Sequence, residues 1–196
     1  AMVTYVVAAL RQVPEIDNVV VVGPAREITA LFNPSTDLRM VEEGNNLVEN
    51  VQLGLGALSS PEPCLVLTAD SAFLTPTAVE HFLEACQPRN EAIYYPIISR
   101  RNTEQRFPGA KRTYIKLADG EFTGGNAFLV DPVRLGQVLP RVDHYFALRK
   151  KPWRMASALG AGFVLKFLAR RLTIAEAEER FADLFAAPAR AVIVAD

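Results

Sequence analysis

Short runs of apolar residues, each followed by a segment with helical spacing, constrain the fold of this chain most strongly. Asn18–Val22 reads Asn-Val-Val-Val-Val, and Cys64–Thr68 reads Cys-Leu-Val-Leu-Thr. Uninterrupted runs of this kind are typical of strands that are buried on both faces. Between them, residues 46–58 place apolar side chains at helical spacing. Strands that alternate with helices predict an α/β fold of three layers, in which helices cover both faces of an open, mostly parallel sheet.

The same pattern continues along the chain. Further helices are predicted over residues 2–13, 25–32 and 76–86, and further strands over 38–41, 92–98, 113–117, 126–130 and 191–194. Residues 132–186 are predicted to be a mostly helical subregion that contains a capping box at Thr173–Glu176. The length of 196 residues fits one domain, residues 1–196, that includes this helical part.

The most apolar stretch is Met155–Leu168, which includes Lys166. It is shorter than the ~20 residues that a membrane-spanning helix needs, so no membrane span is predicted. Packing of this stretch into the core is the favoured interpretation, because apolar helical stripes usually face a core. A contact in a homodimer is the alternative.

Charge and cysteine content limit the partners of the chain. The 21 Lys and Arg residues nearly balance the 22 Asp and Glu residues, giving a formal net charge of -1. This balance provides no general attraction to nucleic acid, so none is expected as a partner. Cys64 and Cys86 match neither a metal-binding spacing nor a disulfide framework. Two isolated thiols favour a reducing, cytoplasmic location.

Asp70 follows the buried strand over residues 64–68. In open α/β sheets, ligands bind beyond the carboxyl ends of the strands. A carboxylate in that position can hold Mg²⁺ against phosphate oxygens. Equally, Asp70 could cap the turn that follows it through a side-chain hydrogen bond. The position in the sequence does not separate these two interpretations.

Gly44, Asn45 and Asn46 follow the strand over residues 38–41. A glycine permits close backbone approach to a ligand, and asparagine amides can recognise the edge of a base. Capping of the next helix by Asn45 or Asn46 explains at least one of these residues, and is the favoured interpretation of this segment by itself.

Gly124, Gly125 and Asn126 lead into the strand over residues 126–130. Two glycines at the entrance of a strand predict a bulge or a close backbone approach. Asn126 could donate to a phosphate or a sugar hydroxyl, and Lys111 and Arg112 upstream could meet phosphate charge. A purely structural bulge with solvated basic neighbours is the alternative.

Four segments together resemble the MobA-like nucleotidyltransferase family and occur in that family's order within residues 2–131. They are Val19–Pro24, Gly44–Asn50, Leu65–Thr75 and Phe122–Asn126. The resemblance implies a nucleotide-diphospho-sugar transferase-like (A-type glycosyltransferase-like) fold, with Mg²⁺ bound at Asp70. It implies nucleotide contacts near Gly44–Asn46 and acceptor contacts near Gly124–Asn126. The implied reaction transfers a nucleotidyl group from a nucleoside triphosphate to a small phosphorylated acceptor, with release of pyrophosphate.

Members of this family begin with a strand and a glycine-rich loop that binds the triphosphate, whereas residues 1–196 begin at the segment that resembles the next helix. We therefore expect a weakened anion site, unpaired edges on the neighbouring strands and little transferase activity. Two other functions stay open. A nucleotide-sugar glycosyltransferase normally has paired aspartates where Asp70 stands alone, and a non-catalytic binding or assembly domain needs no phosphate loop.

Overall fold

The structure is a computed structural model, and it describes residues 1–33, 35–58, 60–71, 73–148 and 152–195. The helices in these ranges are α1 (Met2–Leu10), α2 (Ala25–Thr29), α3 (Leu47–Leu58), α4 (Pro76–Ala85), α5 (Arg100–Arg106), α6 (Pro132–Leu148), α7 (Pro152–Leu159), α8 (Ala161–Leu168) and α9 (Ile174–Phe185). The strands are β1 (Val19–Gly23), β2 (Leu38–Glu42), β3 (Cys64–Leu67), β4 (Ile93–Ser99), β5 (Ile115–Leu117), β6 (Gly120–Gly124), β7 (Ala127–Val130) and β8 (Ala189–Val194).

The strands form one sheet of two and one of six. β1 and β2 pair in parallel, with Val19 opposite Leu38. In the larger sheet β4 is central: β8 pairs with one of its edges in parallel, and β6 and β7 pair with the other edge in antiparallel orientation. β3 pairs with β7, and β5 with β6, also in antiparallel orientation. The α/β class is confirmed. The sheets contain more antiparallel strand pairs than predicted, because the chain reverses direction in the β5–β6 hairpin and β6 and β7 then run antiparallel to β4.

Helices cover both faces of the sheet, as the predicted three layers require. On one face, α1 and α4 bury their apolar side chains against β1, β4, β7 and β8. The buried members of this cluster include Val6, Val7, Val19, Val21, Val79, Phe82, Tyr94 and Leu129. On the other face, α3 and α6 pack against β4 and β7, with Val48, Ile93, Val130, Leu135, Val138 and Leu139 buried. The burial of this apolar surface is the main force that stabilises the layers.

β1 and β3 lie under the same helices, yet no backbone pairing joins them in the part of the chain that the structure describes. Leu65 and Leu67 of β3 pack against the cluster that contains Val19 and Val21 of β1. On the opposite face, Cys64 and Val66 of β3 pack against the cluster that contains α3, the helix that also covers β1. Within the described ranges β1 pairs only with β2, and β3 only with β7, so each has an unpaired edge there, as predicted.

The predicted helical subregion corresponds to α6, α7, α8 and α9. The capping box at Thr173 and Glu176 is confirmed, since each side chain accepts a hydrogen bond from the backbone amide of the other residue. The core-packing interpretation of Met155–Leu168 is wrong for α8, which has no buried residue. Leu165 is 65% exposed there, because α8 packs mainly along α7 and leaves its other side uncovered. None of the helices in the described ranges is long and apolar enough to cross a membrane.

Candidate functional site

A bulge separates β6 from β7, which lie along the same edge of β4. Ile97 pairs with Gly124 and Tyr94 pairs with Leu129, so the partner strand advances five residues while β4 advances three. The two extra residues are accommodated around Gly125, whose amide donates to the carbonyl oxygen of Pro96 at 2.9 Å. Extra residues of this kind bend a strand and redirect its side chains. The bulge predicted from the two glycines is confirmed.

Glycine is required at the bulge because side chains of β4 lie against its backbone. A Cβ atom on Gly124 would lie 1.6 Å from the hydroxyl oxygen of Tyr95, and one on Gly125 would lie 2.9 Å from Cγ of Pro96. The Tyr95 ring is held in place by stacking on Phe128, with ring centroids 4.9 Å apart. The two glycines thus have a structural role. The sequence alone was equally consistent with a ligand contact at these positions.

Asp70 lies in an exposed turn just beyond the carboxyl end of β3. The hydroxyl of Thr68 donates to Oδ1 of Asp70 at 2.5 Å, and the amide of Ser71 donates to the carbonyl oxygen of Thr68 at 3.4 Å. The amide of Thr68 donates to the carbonyl oxygen of Asn126 at 3.1 Å, which joins this turn to the bulge. The alternative role of Asp70, capping of the next turn, would use the amide of Ala72, which lies outside the described residues.

A cavity of about 350 Å³ lies beside this turn. Four predicted site residues line it together with Asp70, namely Arg112, Gly124, Gly125 and Asn126. Lys111 is exposed next to Arg112 but is not part of the cavity wall. The structure therefore brings the proposed metal ligand, one of the two predicted basic residues and the glycine bulge into one place, at the edge of the sheet where ligands of α/β folds bind.

Gly44, Asn45 and Asn46 lie elsewhere, at the carboxyl end of β2, and none of them lines this cavity. The side chain of Asn46 accepts a hydrogen bond from the amide of Glu49 at 2.9 Å, so it caps α3 as the simpler interpretation predicted. Glu49 in turn accepts from the amide of Asn45 at 2.6 Å, and Asn50 accepts from the amide of Gly44 at 2.7 Å. These contacts hold the segment in a tight turn.

The acidic residue of the cavity wall, Asp70, suits a metal ion only together with a ligand. The described residues contain no group of three or more His, Cys, Asp and Glu side chains that could hold a metal. Mg²⁺ in nucleotide sites is commonly held by one or two carboxylates, with substrate phosphates and water completing its shell. The exposed carboxylate of Asp70 fits that arrangement as a single protein ligand.

Arg106 and Phe107 are among the cavity residues that were not predicted from the sequence. Arg106 is the last residue of α5 and Phe107 follows it; both line the cavity, with the Arg106 guanidinium 5.9 Å from the centre of the Phe107 ring. The helix that positions them was missed because its sequence, Arg100–Arg106, has no apolar periodicity. Ser99 was the available signal, since its side chain caps the helix by accepting from the amide of Asn102 at 3.2 Å.

A family comparison decides the relationship of this chain to known proteins. The model of the MobA-like NTP transferase domain matches residues 1–173. The chain belongs to this family. The match extends beyond the segments that suggested the resemblance and includes α6, α7 and α8 of the MobA-like domain.

Solved structures agree with this assignment. A hypothetical transferase from Thermus thermophilus is 32% identical, with a TM-score of 0.85, and the match covers 100% of this chain and 80% of that one. The 2-C-methyl-D-erythritol 4-phosphate cytidylyltransferase of Francisella tularensis has a TM-score of 0.61 at 8% identity, covering 98% and 78% of the two chains. A CMP:2-keto-3-deoxy-manno-octonic acid synthetase has a TM-score of 0.57 at 12% identity, with the same coverage. The last two show the fold alone. A comparison with curated proteins gave no match.

Proposed function

We propose that this MobA-like domain transfers a nucleotidyl group from a nucleoside triphosphate to a phosphorylated small-molecule acceptor and releases pyrophosphate. Membership of the family supports a nucleotide substrate. The observation that carries the proposal is the position of Asp70, exposed beyond the carboxyl end of β3 and lining the cavity with Arg112 and Asn126. A cytoplasmic location goes with this function, and the two cysteines are free thiols.

The reaction forms one phosphorus–oxygen bond and breaks another. An oxygen of the acceptor phosphate attacks the α-phosphorus of the triphosphate, and the bond from that phosphorus to the bridging oxygen breaks. Pyrophosphate leaves with the electron pair of the broken bond. A Mg²⁺ ion held by Asp70 would neutralise charge on the phosphates. The remaining contribution of the protein is positioning and electrostatic stabilisation.

The residues at the cavity have separate roles in this proposal. Arg112, in the cavity wall, and Lys111, exposed beside it, meet phosphate charge. Gly124, Gly125 and Asn126 form the wall on the acceptor side. We assign the nucleotide contacts to Gly44, Asn45 and Asn46.

A nucleotide bound at the turn before α3 would compete with side chains that already occupy its backbone amides. The amides of Gly44 and Asn45 already donate to Asn50 and Glu49. A nucleotide that used these amides would therefore displace the two side chains and lose part of its binding energy.

We further propose that residues 1–196 by themselves have low transferase activity. The sequence contains no glycine-rich strand-to-helix turn followed by a lysine, the element whose backbone amides would surround the β- and γ-phosphates. The unpaired edges of β1 and β3 leave an interruption in the sheet layer beside Asp70. Triphosphate binding would depend on Asp70, Mg²⁺ and the basic residues alone.

Thermal unfolding with each of the four nucleoside triphosphates tests the proposal. A ligand that binds the folded state stabilises it by about 2.7 kcal/mol at a hundredfold excess over its Kd. We expect the stabilisation by nucleotide to require Mg²⁺, because the ion would link Asp70 to the phosphates. Asp70→Asn should abolish this shift. Asp17→Asn, at an exposed aspartate in the loop before β1, is the matched control and should keep it. Equal stabilisation without Mg²⁺, or an unchanged shift in Asp70→Asn, would contradict the assignment.

A second candidate function, assembly through a homodimer, is favoured by apolar side chains exposed on α7 and α8. Trp153 is 83% exposed and Leu165 is 65% exposed. We propose that a second copy of the chain covers them, because large apolar side chains exposed on two helices that pack together mark an interaction site. Sedimentation analysis should show a dimer that Leu165→Glu dissociates, whereas Val133→Glu, at an exposed apolar residue of α6, should leave it intact. A monomeric wild-type protein would exclude this function.

A further inference from the structure

The cavity beside Asp70 has mostly apolar walls. Its inner wall is formed by Leu65 and Leu67 of β3 and by Ile98 of β4, and α4 closes it with Val79 and Phe82. Its volume of about 350 Å³ lies in the range of small-molecule sites. Water in such a space has few hydrogen-bonding partners, so its replacement by an apolar group of a ligand makes binding more favourable.

Two aromatic rings stand at the mouth of the cavity. Phe73 is 84% exposed and Phe107 is 40% exposed, and their ring centroids lie 6.1 Å apart at an interplanar angle of 51°. Both residues line the cavity. Exposed phenylalanine side chains that flank an apolar opening provide a contact surface for a planar or hydrocarbon group.

The charged groups of the cavity differ in sign. Arg106 and Arg112 line it together with Asp70. Arginine binds phosphate through paired hydrogen bonds, and the two guanidinium charges exceed the single carboxylate charge, so an anion can bind here without a metal ion. A ligand that satisfies both parts of the cavity has an anionic group for the arginines and an apolar body for the inner wall.

We propose that the acceptor of this domain is a phosphorylated molecule whose body is apolar, either an aromatic ring or a short branched hydrocarbon. The body occupies the space between β3 and α4, and the phosphate faces Arg112 and Asn126 beside Asp70. This inference rests on the proposed function and specifies its acceptor. A phosphorylated sugar or polyol is disfavoured, because its hydroxyl groups would lose hydrogen bonds to water against the leucine, isoleucine and phenylalanine side chains.

Direct binding of three probes tests the proposal: phenyl phosphate, glycerol phosphate and inorganic phosphate, measured by ligand-observed NMR without nucleotide or metal. We expect phenyl phosphate to bind at least about tenfold more tightly than glycerol phosphate, since each buried methylene equivalent contributes about fourfold. Equal or tighter binding of glycerol phosphate would overturn the proposal. So would phenyl phosphate that binds no better than inorganic phosphate, or no detectable binding of phenyl phosphate.

Variants locate the binding. Ala78→Leu fills the cavity from α4 and should lower the affinity for phenyl phosphate at least about tenfold, while Ala85→Leu, at an exposed alanine of the same helix, should not change it. If Ala78→Leu does not fold, Phe107→Ala provides the second test. It should weaken phenyl phosphate binding severalfold and leave inorganic phosphate unaffected. An affinity for phenyl phosphate that neither variant changes would place its binding elsewhere and refute the proposal.

The outcome is separable from the proposed function. Asp70→Asn should bind phenyl phosphate at least as tightly as the wild type, because it removes a negative charge beside the phosphate, while it abolishes the Mg²⁺-dependent response to nucleotide. A failure of the apolar acceptor shows in the comparison of probes, and a failure of the nucleotide site shows in the thermal unfolding with nucleotide, with and without Mg²⁺ and in Asp70→Asn.

Discussion

The bulge at Gly124 makes a sharp prediction about stability. In Gly124→Ala the new methyl group would lie 1.6 Å from the hydroxyl oxygen of Tyr95 and 2.6 Å from Cζ of the same ring, so the ring must move. Moving it disturbs the stack on Phe128, where the centroids are 4.9 Å apart. The backbone of Gly124 is not among the positive-φ glycines, so the substitution tests the close approach and not backbone strain.

The expected cost combines three contributions. Forcing an extra methyl group into a packed site costs about 1–3 kcal/mol. Loss of an aromatic stack costs about 0.5–1.5 kcal/mol. The reduced freedom of the unfolded chain offsets about 0.4–1 kcal/mol of this. We therefore expect Gly124→Ala to lower the free energy of unfolding by about 0.5–4 kcal/mol.

Urea denaturation followed by circular dichroism measures this cost, and a double-mutant cycle identifies its cause. Tyr95→Phe removes the oxygen that clashes most, so the cost of Gly124→Ala should fall by about 1 kcal/mol in that background. Gly136→Ala, in α6 with nothing within 4 Å of its Cβ position, is the control and should stabilise slightly. A cost below about 0.5 kcal/mol, or the same cost in both backgrounds, would refute the reasoning.

Three further predictions concern stability and reactivity. Thr173→Ala should lower the free energy of unfolding by about 1 kcal/mol in urea denaturation, because the capping box at the start of α9 is lost; an unchanged midpoint would show that the cap is dispensable. The hydrogen bond from Arg11 lowers the pKa of Asp37 below its usual 3.8, so its stabilising effect is present above that value and is lost as the pH falls through the lowered pKa. The urea midpoint should thus fall less on acidification in Asp37→Asn than in the wild type, and equal falls would exclude this pair as a cause. Burial raises the pKa of the Cys64 thiol to about 11 and that of the Cys86 thiol to about 12. Both thiols should therefore react with iodoacetamide far more slowly than a free cysteine near neutral pH. A fast reaction of either thiol would contradict its raised pKa.

Much of the fold follows from local sequence signals. β1 and β3 were predictable because their uninterrupted apolar runs match strands with two covered faces. The capping box of α9 was also predictable, because it depends on residues close together in the chain.

The elements that were missed lack such signals. α5 carries charged residues and no apolar stripe, and it is held by the Ser99 cap and by an ion pair between Arg100 and Glu104 at 2.6 Å. β6 is short and begins and ends with glycine, so the sequence predicts no strand there. Its strand character comes from pairing with β4 and β5, which are contacts that only the tertiary fold provides.

The geometry of the candidate site was only partly predictable from the sequence. The position of Asp70 beyond a strand end follows from the sheet rule and is confirmed. That Arg112 and Asn126 reach the same cavity, while Gly44–Asn46 do not, depends on chain packing over long sequence distances. The apolar walls of the cavity could not be predicted either, because Leu65, Leu67 and Ile98 look like ordinary core residues in the sequence.

Paramagnetic broadening by Mn²⁺ tests the central claim most directly, namely that the carboxylate of Asp70 holds the divalent ion that accompanies a bound nucleotide. With a nucleoside triphosphate present, the amide signals of Thr68, Ser71 and Asn126 should broaden first, because these residues surround Asp70 or line the cavity with it. The amide of Asp17 should be unaffected, and Asp70→Asn should remove the broadening. Broadening centred at the end of β2, or broadening that persists in Asp70→Asn, would contradict the account.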